Sequence, residues 1–109
     1  MDELTNLVHE ENGKTLGEAK AEVAKSAELT EFACSMPQLI PGEILEVSKG
    51  VECRVEHFPV GVVASITPFN FPNMVPNWTI PNAIVLGNTM ILKPSQLVPI
   101  SANRIAGNY

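Results

Sequence analysis

The pattern of apolar and polar positions changes three times along the chain, and each change predicts a different kind of element. Up to residue 41 the apolar positions recur at helical spacing, which predicts a helix over residues 2–11 and a longer one over residues 15–36. Thr15 and Glu18 form a capping-box pattern at the start of the longer helix, and Pro37 is predicted to end it. The apolar stripe of this helix is predicted to contain Leu16, Ala19, Val23, Ala27, Phe32 and Cys34.

From residue 42 the spacing becomes that of strands. Residues 43–47 and 51–58 are predicted to form two strands, joined by a turn over residues 48–50. In the second strand the apolar side chains alternate with charged ones, so one face is expected to be wet. The pattern predicts an antiparallel hairpin at an edge or an interface.

Beyond Pro59 the chain becomes continuously apolar. Residues 60–66 are predicted to form a strand covered on both faces, and a helix over residues 73–86, an apolar strand over residues 89–92 and a helix over residues 100–106 follow. This order defines a βαβα unit with parallel strands and a right-handed crossover, so the fold class is α/β. The chain divides into a helical segment (1–41), a hairpin (42–58) and a βαβα portion (59–109).

Composition and charge exclude several classes of function. The chain has 109 residues, of which 45% are hydrophobic and 17% charged, as expected of one small globular domain. Its net charge of −5, with seven scattered basic residues, argues against nucleic-acid binding. The acidic, polar start does not resemble a signal peptide, and prolines and asparagines interrupt the longest apolar stretch. We therefore expect a cytoplasmic origin and no membrane span.

The cysteines and histidines do not form a recognisable metal site. Cys34 and Cys53 lie outside any CxxC pattern and have no histidine at ligand spacing, so we predict two free, buried thiols. A disulfide or a metal site is the less favoured alternative. His9 and His57 are interpreted as solvated or structural residues, and no metal ligand is predicted.

Two polar segments, residues 67–72 and 93–96, follow the two predicted parallel strands. In open parallel sheets ligands bind beyond the carboxyl ends of the strands. An amide and an ammonium beside an aromatic ring are typical of a ligand-binding edge, although structural turns remain an equal alternative from the residues alone. No GxGxxG pattern follows the first strand, so the ordinary dinucleotide motif is absent.

Residues 59–99 resemble the aldehyde dehydrogenase superfamily. There an apolar strand leads into P-(F/W)-N-F-P, and a helix then precedes G-N-T-x-x-x-K-P-S-E; both blocks occur here at the right separation. Residues 11–20 look like the E-x-G-K region of the same family, so the resemblance covers nearly the whole chain. The fold it implies is a fragment of the aldehyde dehydrogenase fold, including the first βαβα of its Rossmann-like sheet.

A subgroup is also suggested. Phe69 stands where most hydrolytic members have Trp, and residues 31–37 and 42–43 look like the CoA-acylating methylmalonate-semialdehyde dehydrogenases. There are two departures. Gln96 replaces the usual Glu, which leaves the choice between NAD and NADP open, and Leu97 replaces the Arg of this subgroup.

The resemblance implies roles for five residues. Asn70 corresponds to the oxyanion-hole asparagine and is the catalytic residue within this chain. Thr67 and Phe69 match cofactor contacts, and Lys93 and Gln96 match the positions at the adenosine ribose. The implied cofactor is NAD or NADP, with CoA as a candidate acyl acceptor, a small aldehyde as substrate and a homo-oligomer as the whole enzyme.

The residues that complete the chemistry are expected elsewhere. The resemblance implies that the nucleophilic cysteine, the general-base glutamate and the pyrophosphate turn lie downstream of residues 93–96, so neither Cys34 nor Cys53 is the nucleophile. We therefore expect the chain alone to be catalytically inactive. The alternative from another class is a non-catalytic module that binds a nucleotide or a subunit of a full-length relative.

Overall fold

Helices precede a hairpin, and a βαβα unit follows it, in the order predicted. The computed structural model of the protein describes residues 2–107. The elements are α1 (Asp2–Asn12), α2 (Leu16–Leu39), β1 (Glu43–Ser48), β2 (Val51–Val55), β3 (Val62–Ile66), α3 (Pro76–Val85), β4 (Thr89–Lys93) and α4 (Pro99–Ala106).

The first two helices pack through a small apolar core. Val8 of α1 is fully buried against Ala19 and Val23 of α2, with Leu4 beside them. The capping box at the start of α2 is present: the Glu18 backbone N–H donates to Thr15 Oγ1, and the Glu18 carboxylate accepts from the Thr15 backbone N–H at 3.0 Å. The predicted stripe is correct at Ala19 and Val23. It is wrong at the other four positions, where the side chains are exposed: Leu16, Ala27, Phe32 and Cys34.

The prediction that Pro37 ends the second helix was wrong. The helix continues through it to Leu39, and the backbone N–H of Ile40 donates to the Met36 carbonyl. A proline removes the N–H donor of one residue, and only two residues of α2 follow Pro37, so few further helical hydrogen bonds depend on it. α2 is 24 residues long. Neither it nor any other helix within residues 2–107 is both long and apolar enough to cross a membrane.

The hairpin is antiparallel, as predicted, and Glu43 pairs with Val55 at its open end. Gly50 adopts a φ of 75° at the turn, a conformation that side-chain-bearing residues rarely adopt. Every residue of both strands is exposed, so both faces are wet rather than one. Cys34 and Cys53 are free, as predicted, but both are exposed; the prediction of buried thiols was wrong because no described element covers them.

The second sheet contains β3 and β4, which pair in parallel from Val62–Thr89 to Ile66–Lys93. The βαβα prediction is therefore confirmed. One face, with Val62 and Ile66 of β3 and Ile91 of β4, is between 62% and 78% exposed. The expectation that both faces are covered was wrong for the described residues, because α3 packs on the sheet and no described element packs on the face that carries Val62, Ile66 and Ile91.

The ends of α3 and α4 are held by specific contacts. Gly87 follows α3 with a φ of 79°, and a Cβ there would lie 2.8 Å from Pro59 Cγ, so glycine is required. The Glu11 carboxylate accepts from the backbone N–H groups of Ile100 and Ser101, both at 2.8 Å, at the start of α4. These N–H groups have no partner within the helix, and a carboxylate is a strong acceptor for them.

Acid should weaken the capping box. The hydrogen bonds from Thr15 hold the pKa of the Glu18 carboxyl below its ordinary value of 4.5. Its contribution to stability is therefore complete above the ordinary pKa and is lost as the pH falls through the lower folded-state pKa. We expect E18A to unfold at lower urea than the wild type at neutral pH, and this difference to narrow below pH 4.5. E31A, which alters an exposed glutamate of the same helix, is the control. A difference in urea midpoint between E18A and the wild type that does not change with pH would contradict the prediction.

The open face of the β3–β4 sheet should make the chain self-associate or leave it marginally stable. Sedimentation velocity should show an average mass that rises with concentration, and the double variant I66T/I91T should reduce this rise by making the face polar. A monomeric chain that melts cooperatively above about 60 °C, the upper range of ordinary domains, would contradict this expectation.

Candidate functional site

The two polar segments predicted to form a ligand-binding edge lie side by side. The backbone N–H of Thr67 donates to the Lys93 carbonyl at 3.1 Å, which extends the parallel pairing of β3 and β4 by one residue. The loops that leave the two strands therefore begin at the same edge of the sheet, as the carboxyl ends of parallel strands must.

The first loop presents Asn70 to solvent. Thr67, at its base, is buried, whereas Phe69 and Asn70 are exposed. The backbone carbonyls of both exposed residues are held: Phe69 accepts from Asn12 Nδ2 at 2.8 Å, and Asn70 accepts from Lys14 Nζ at 2.7 Å. The Asn70 side-chain amide makes no hydrogen bond with any residue in the described range 2–107. It is therefore available to donate to a ligand.

The second loop places Lys93 beside Gln96. Lys93 Nζ donates to the Pro94 carbonyl at 3.0 Å and lies 3.5 Å from Gln96 Oε1, at the outer limit of a hydrogen bond. Both side chains are exposed, and Ser95 between them turns inward and accepts from the Leu97 N–H. An ammonium donor next to an amide that both donates and accepts fits the hydroxyls of a ribose.

Sequence reasoning missed the contacts that support the first loop. Glu22 of α2 is buried, and its Oε1 accepts from the backbone N–H groups of Asn73 and Met74 at 2.8 and 3.1 Å. Its Oε2 accepts from Lys14 Nζ at 2.6 Å. Ser26, one turn further along α2, donates to Asn73 Oδ1 at 2.6 Å. The E-x-G-K pattern ending at Lys14 was one signal for this arrangement. The spacing of Glu22 was another, because it lies one turn after Ala19 and one turn before Ser26, on the buried face of α2.

Other candidate positions lie apart from this edge. His9 Nδ1 is 2.5 Å from the Lys14 carbonyl, and His57 is exposed, as expected of solvated or structural residues. Within residues 2–107 no group of three or more His, Cys, Asp or Glu side chains could hold a metal ion.

Comparison with known proteins identifies the class. Residues 1–108 match the aldehyde dehydrogenase family, so the chain belongs to that family. Its fold is that of the corresponding part of the solved aldehyde dehydrogenases, as the resemblance implied.

Several similar relatives are semialdehyde dehydrogenases. The chain is 50% identical over 106 residues to malonate-semialdehyde dehydrogenase of Bacillus pumilus and 52% identical over 104 residues to malonate-semialdehyde dehydrogenase 2 of Bacillus mycoides. These matches cover 96% and 94% of this chain, and each covers 22% of the relative. The chain thus spans about a fifth of the length of the relatives that it matches.

The solved structures agree. An NAD complex from Sinorhizobium meliloti, assigned as a methylmalonate-semialdehyde dehydrogenase, matches with a TM-score of 0.92 and 40% identity over 96% of this chain and 22% of that one. Methylmalonate-semialdehyde dehydrogenase of Oceanimonas doudoroffii has the same TM-score and coverage at 47% identity. An NADP-dependent enzyme of E. coli matches with a TM-score of 0.91 and 34% identity over 97% of this chain and 22% of that one.

Proposed function

We propose that this chain forms part of an NAD(P)-dependent semialdehyde dehydrogenase, to which it contributes the oxyanion-hole amide and one side of the cofactor cleft. The observation that supports this most directly is the presentation of Asn70. Its backbone is held by Lys14, and its side-chain amide is exposed and unengaged at the carboxyl edge of the sheet.

Asn70 would act on the aldehyde oxygen. When the thiolate of the whole enzyme adds to the aldehyde carbon, that oxygen gains negative charge, and an amide donor already in place stabilises it without reorganisation. One such donor contributes roughly 2.7–4 kcal/mol to lowering the barrier. Loss of hydride from the carbon of this adduct, for which the bound cofactor would be the acceptor, would leave a thioester on the sulfur. The thioester would then pass its acyl group to CoA or to water.

The cofactor would lie along the same edge. Lys93 and Gln96 would bind the adenosine ribose, while Thr67 and Phe69 would contact the cofactor where β3 ends. The adjacent positions of Lys93 Nζ and Gln96 Oε1 support this assignment, because the two groups together can both donate to and accept from vicinal hydroxyls. We further propose that the whole enzyme is a homo-oligomer; the fully exposed β1–β2 hairpin supports a contact outside this chain.

The competing function is a non-catalytic module. Such a module would bind NAD, or a full-length relative, as the isolated chain, and it would not need the Asn70 amide. A chimera distinguishes the two functions: residues 1–109 replace the matching part of Bacillus pumilus malonate-semialdehyde dehydrogenase, which is 50% identical over 106 residues. A folded chimera without aldehyde-dependent NADH formation would overturn the enzymatic proposal, and the isolated chain, expected to be inactive, is the blank.

In this chimera N70A should lower kcat by about 10²–10³, the usual cost of removing one oxyanion-hole donor. The KM for NAD should change little, because the amide is directed at the aldehyde. N6A removes an exposed asparagine of α1 and is the matched control. Steady-state kinetics of NADH formation give both parameters. An N70A variant with unchanged kcat would show that the amide does not donate to the reacting oxygen.

Q96E should raise the preference for NAD over NADP. A carboxylate a few ångströms from a 2′-phosphate repels it by on the order of 1–4 kcal/mol, depending on the local dielectric, whereas the amide does not. The ratio of kcat/KM for the two cofactors should rise mainly through the KM for NADP, because the adenosine end is remote from hydride transfer. Q38E, which makes the same charge change on the exposed side of α2, is the control. A ratio that moves through kcat alone would place Gln96 away from the ribose.

A further inference from the structure

The Lys14–Glu22 pair contacts the backbone of the loop at the Asn70 carbonyl and again at the N–H groups three and four residues later. We propose that Lys14 and Glu22 are positioning residues, which place the Asn70 amide by holding the backbone of the loop that carries it. This inference rests on the proposed function, in which Asn70 is the oxyanion donor.

Lys14 makes three contacts with its ammonium group. Nζ lies 2.6 Å from Glu22 Oε2, 2.7 Å from the Asn70 carbonyl oxygen and 3.7 Å from the centre of the Phe71 ring. An ammonium has three donor hydrogens, and its three partners here are two acceptor oxygens and one aromatic face. The side chain is 17% exposed. Lys14 is thus committed to the loop, unlike a solvated surface lysine.

Glu22 holds the other end of the loop. Its side chain is 1% exposed, and one of its oxygens accepts from two consecutive backbone N–H groups, those of Asn73 and Met74. A buried carboxylate is tolerated only when it is paired and hydrogen-bonded. Lys14 therefore holds the carbonyl of Asn70, and Glu22 holds the N–H groups three and four residues later. The ion pair between Lys14 and Glu22 joins these two points of attachment.

The Asn70 amide depends on this backbone for its position. The amide has no hydrogen bond of its own within residues 2–107, so what the described residues fix is the backbone from which the side chain extends. Displacement of a catalytic group by about 1 Å can cost about 10²-fold in rate. Release of the Asn70 carbonyl is therefore expected to affect the chemical step, although Lys14 and Glu22 themselves touch no substrate.

A purely structural role is the alternative, because the same pair ties α2 to the loop that precedes α3. Loss of stability alone would not distinguish the two roles. The distinguishing quantity is the dependence on Asn70: a positioning residue loses its effect on kcat once the amide that it positions has been removed, whereas independent effects multiply.

The experiment uses the chimeric whole enzyme and the substitution K14M, which removes the ammonium and keeps an apolar chain of similar length. We expect kcat to fall about ten- to hundredfold. The KM for NAD should change little, because Asn12 and not Lys14 holds the Phe69 carbonyl, and the ribose contacts lie on the other loop. We expect K14M/N70A to have the same kcat as N70A. Losses that multiply in the double variant, or a KM effect without a kcat effect, would overturn the inference.

Two control variants are used: one makes the same substitution as K14M elsewhere, and the other lowers stability without touching the loop. K25M makes the same change in the exposed Lys25–Glu28 pair of α2, also 2.6 Å long, and should leave kcat unchanged. V23A weakens the core between α1 and α2 without touching the loop, and should lower the Tm but not the kcat of the folded enzyme. A kcat loss in V23A as large as that in K14M would assign the effect to general destabilisation and overturn the inference.

K14M leaves the buried Glu22 carboxylate without its counter-ion, and such a stranded charge is strongly destabilising. If K14M does not fold, K14M/E22Q removes both charges and carries the same expectation; if neither folds, the pair is structural and the inference is overturned. If N70A does not lower kcat, both the proposed function of Asn70 and this inference are overturned. A large N70A effect without any K14M effect would overturn the inference alone.

Discussion

The helical part of the chain and the parallel-strand part are joined at the buried carboxylate of Glu22. An unpaired carboxylate at this depth would be costly, and its oxygens find their partners in two places: Lys14 in the turn before α2, and the backbone of Asn73 and Met74 in the loop after β3. The charge is satisfied only when both regions hold their native positions. Docking of the helix and the conformation of the loop are therefore parts of one event.

Local features were the most predictable from the sequence. The hairpin and the alternation of strands and helices after Pro59 carry their signals within a few residues, and the structure has them in the predicted order. Pro37 was misread because its effect depends on how much helix remains beyond it, and here that is only part of a turn. That the loops after β3 and β4 begin at one edge could be predicted, because the carboxyl ends of parallel strands meet there, whereas the roles of Asn70 and Lys93 came only from resemblance.

Burial was less predictable, because it depends on what covers a residue. Cys53 and Ile91 have the patterns of covered positions, yet both are exposed within this chain, which spans 22% of the length of its relatives. Glu22 is a different case: helical spacing places it on the buried face of α2 beside Ala19 and Val23, but the backbone groups that it binds lie 51 and 52 positions away. The pattern of the helix can therefore indicate that this carboxylate is buried, but not which groups bind it.

The contacts between α1 and α4 have a consequence for the course of folding. Arg104 pairs with Glu3 at 2.7 Å across 101 positions of sequence, and Glu11 holds the first turn of α4. The two helices are thus neighbours in space, although the hairpin, both parallel strands and α3 lie between them in sequence. Such contacts form only after a long loop has closed, and the entropic cost of that closure must be met before they stabilise the fold. The contacts between α1 and α4 therefore favour slow folding, whereas the β1–β2 hairpin can close over a few residues.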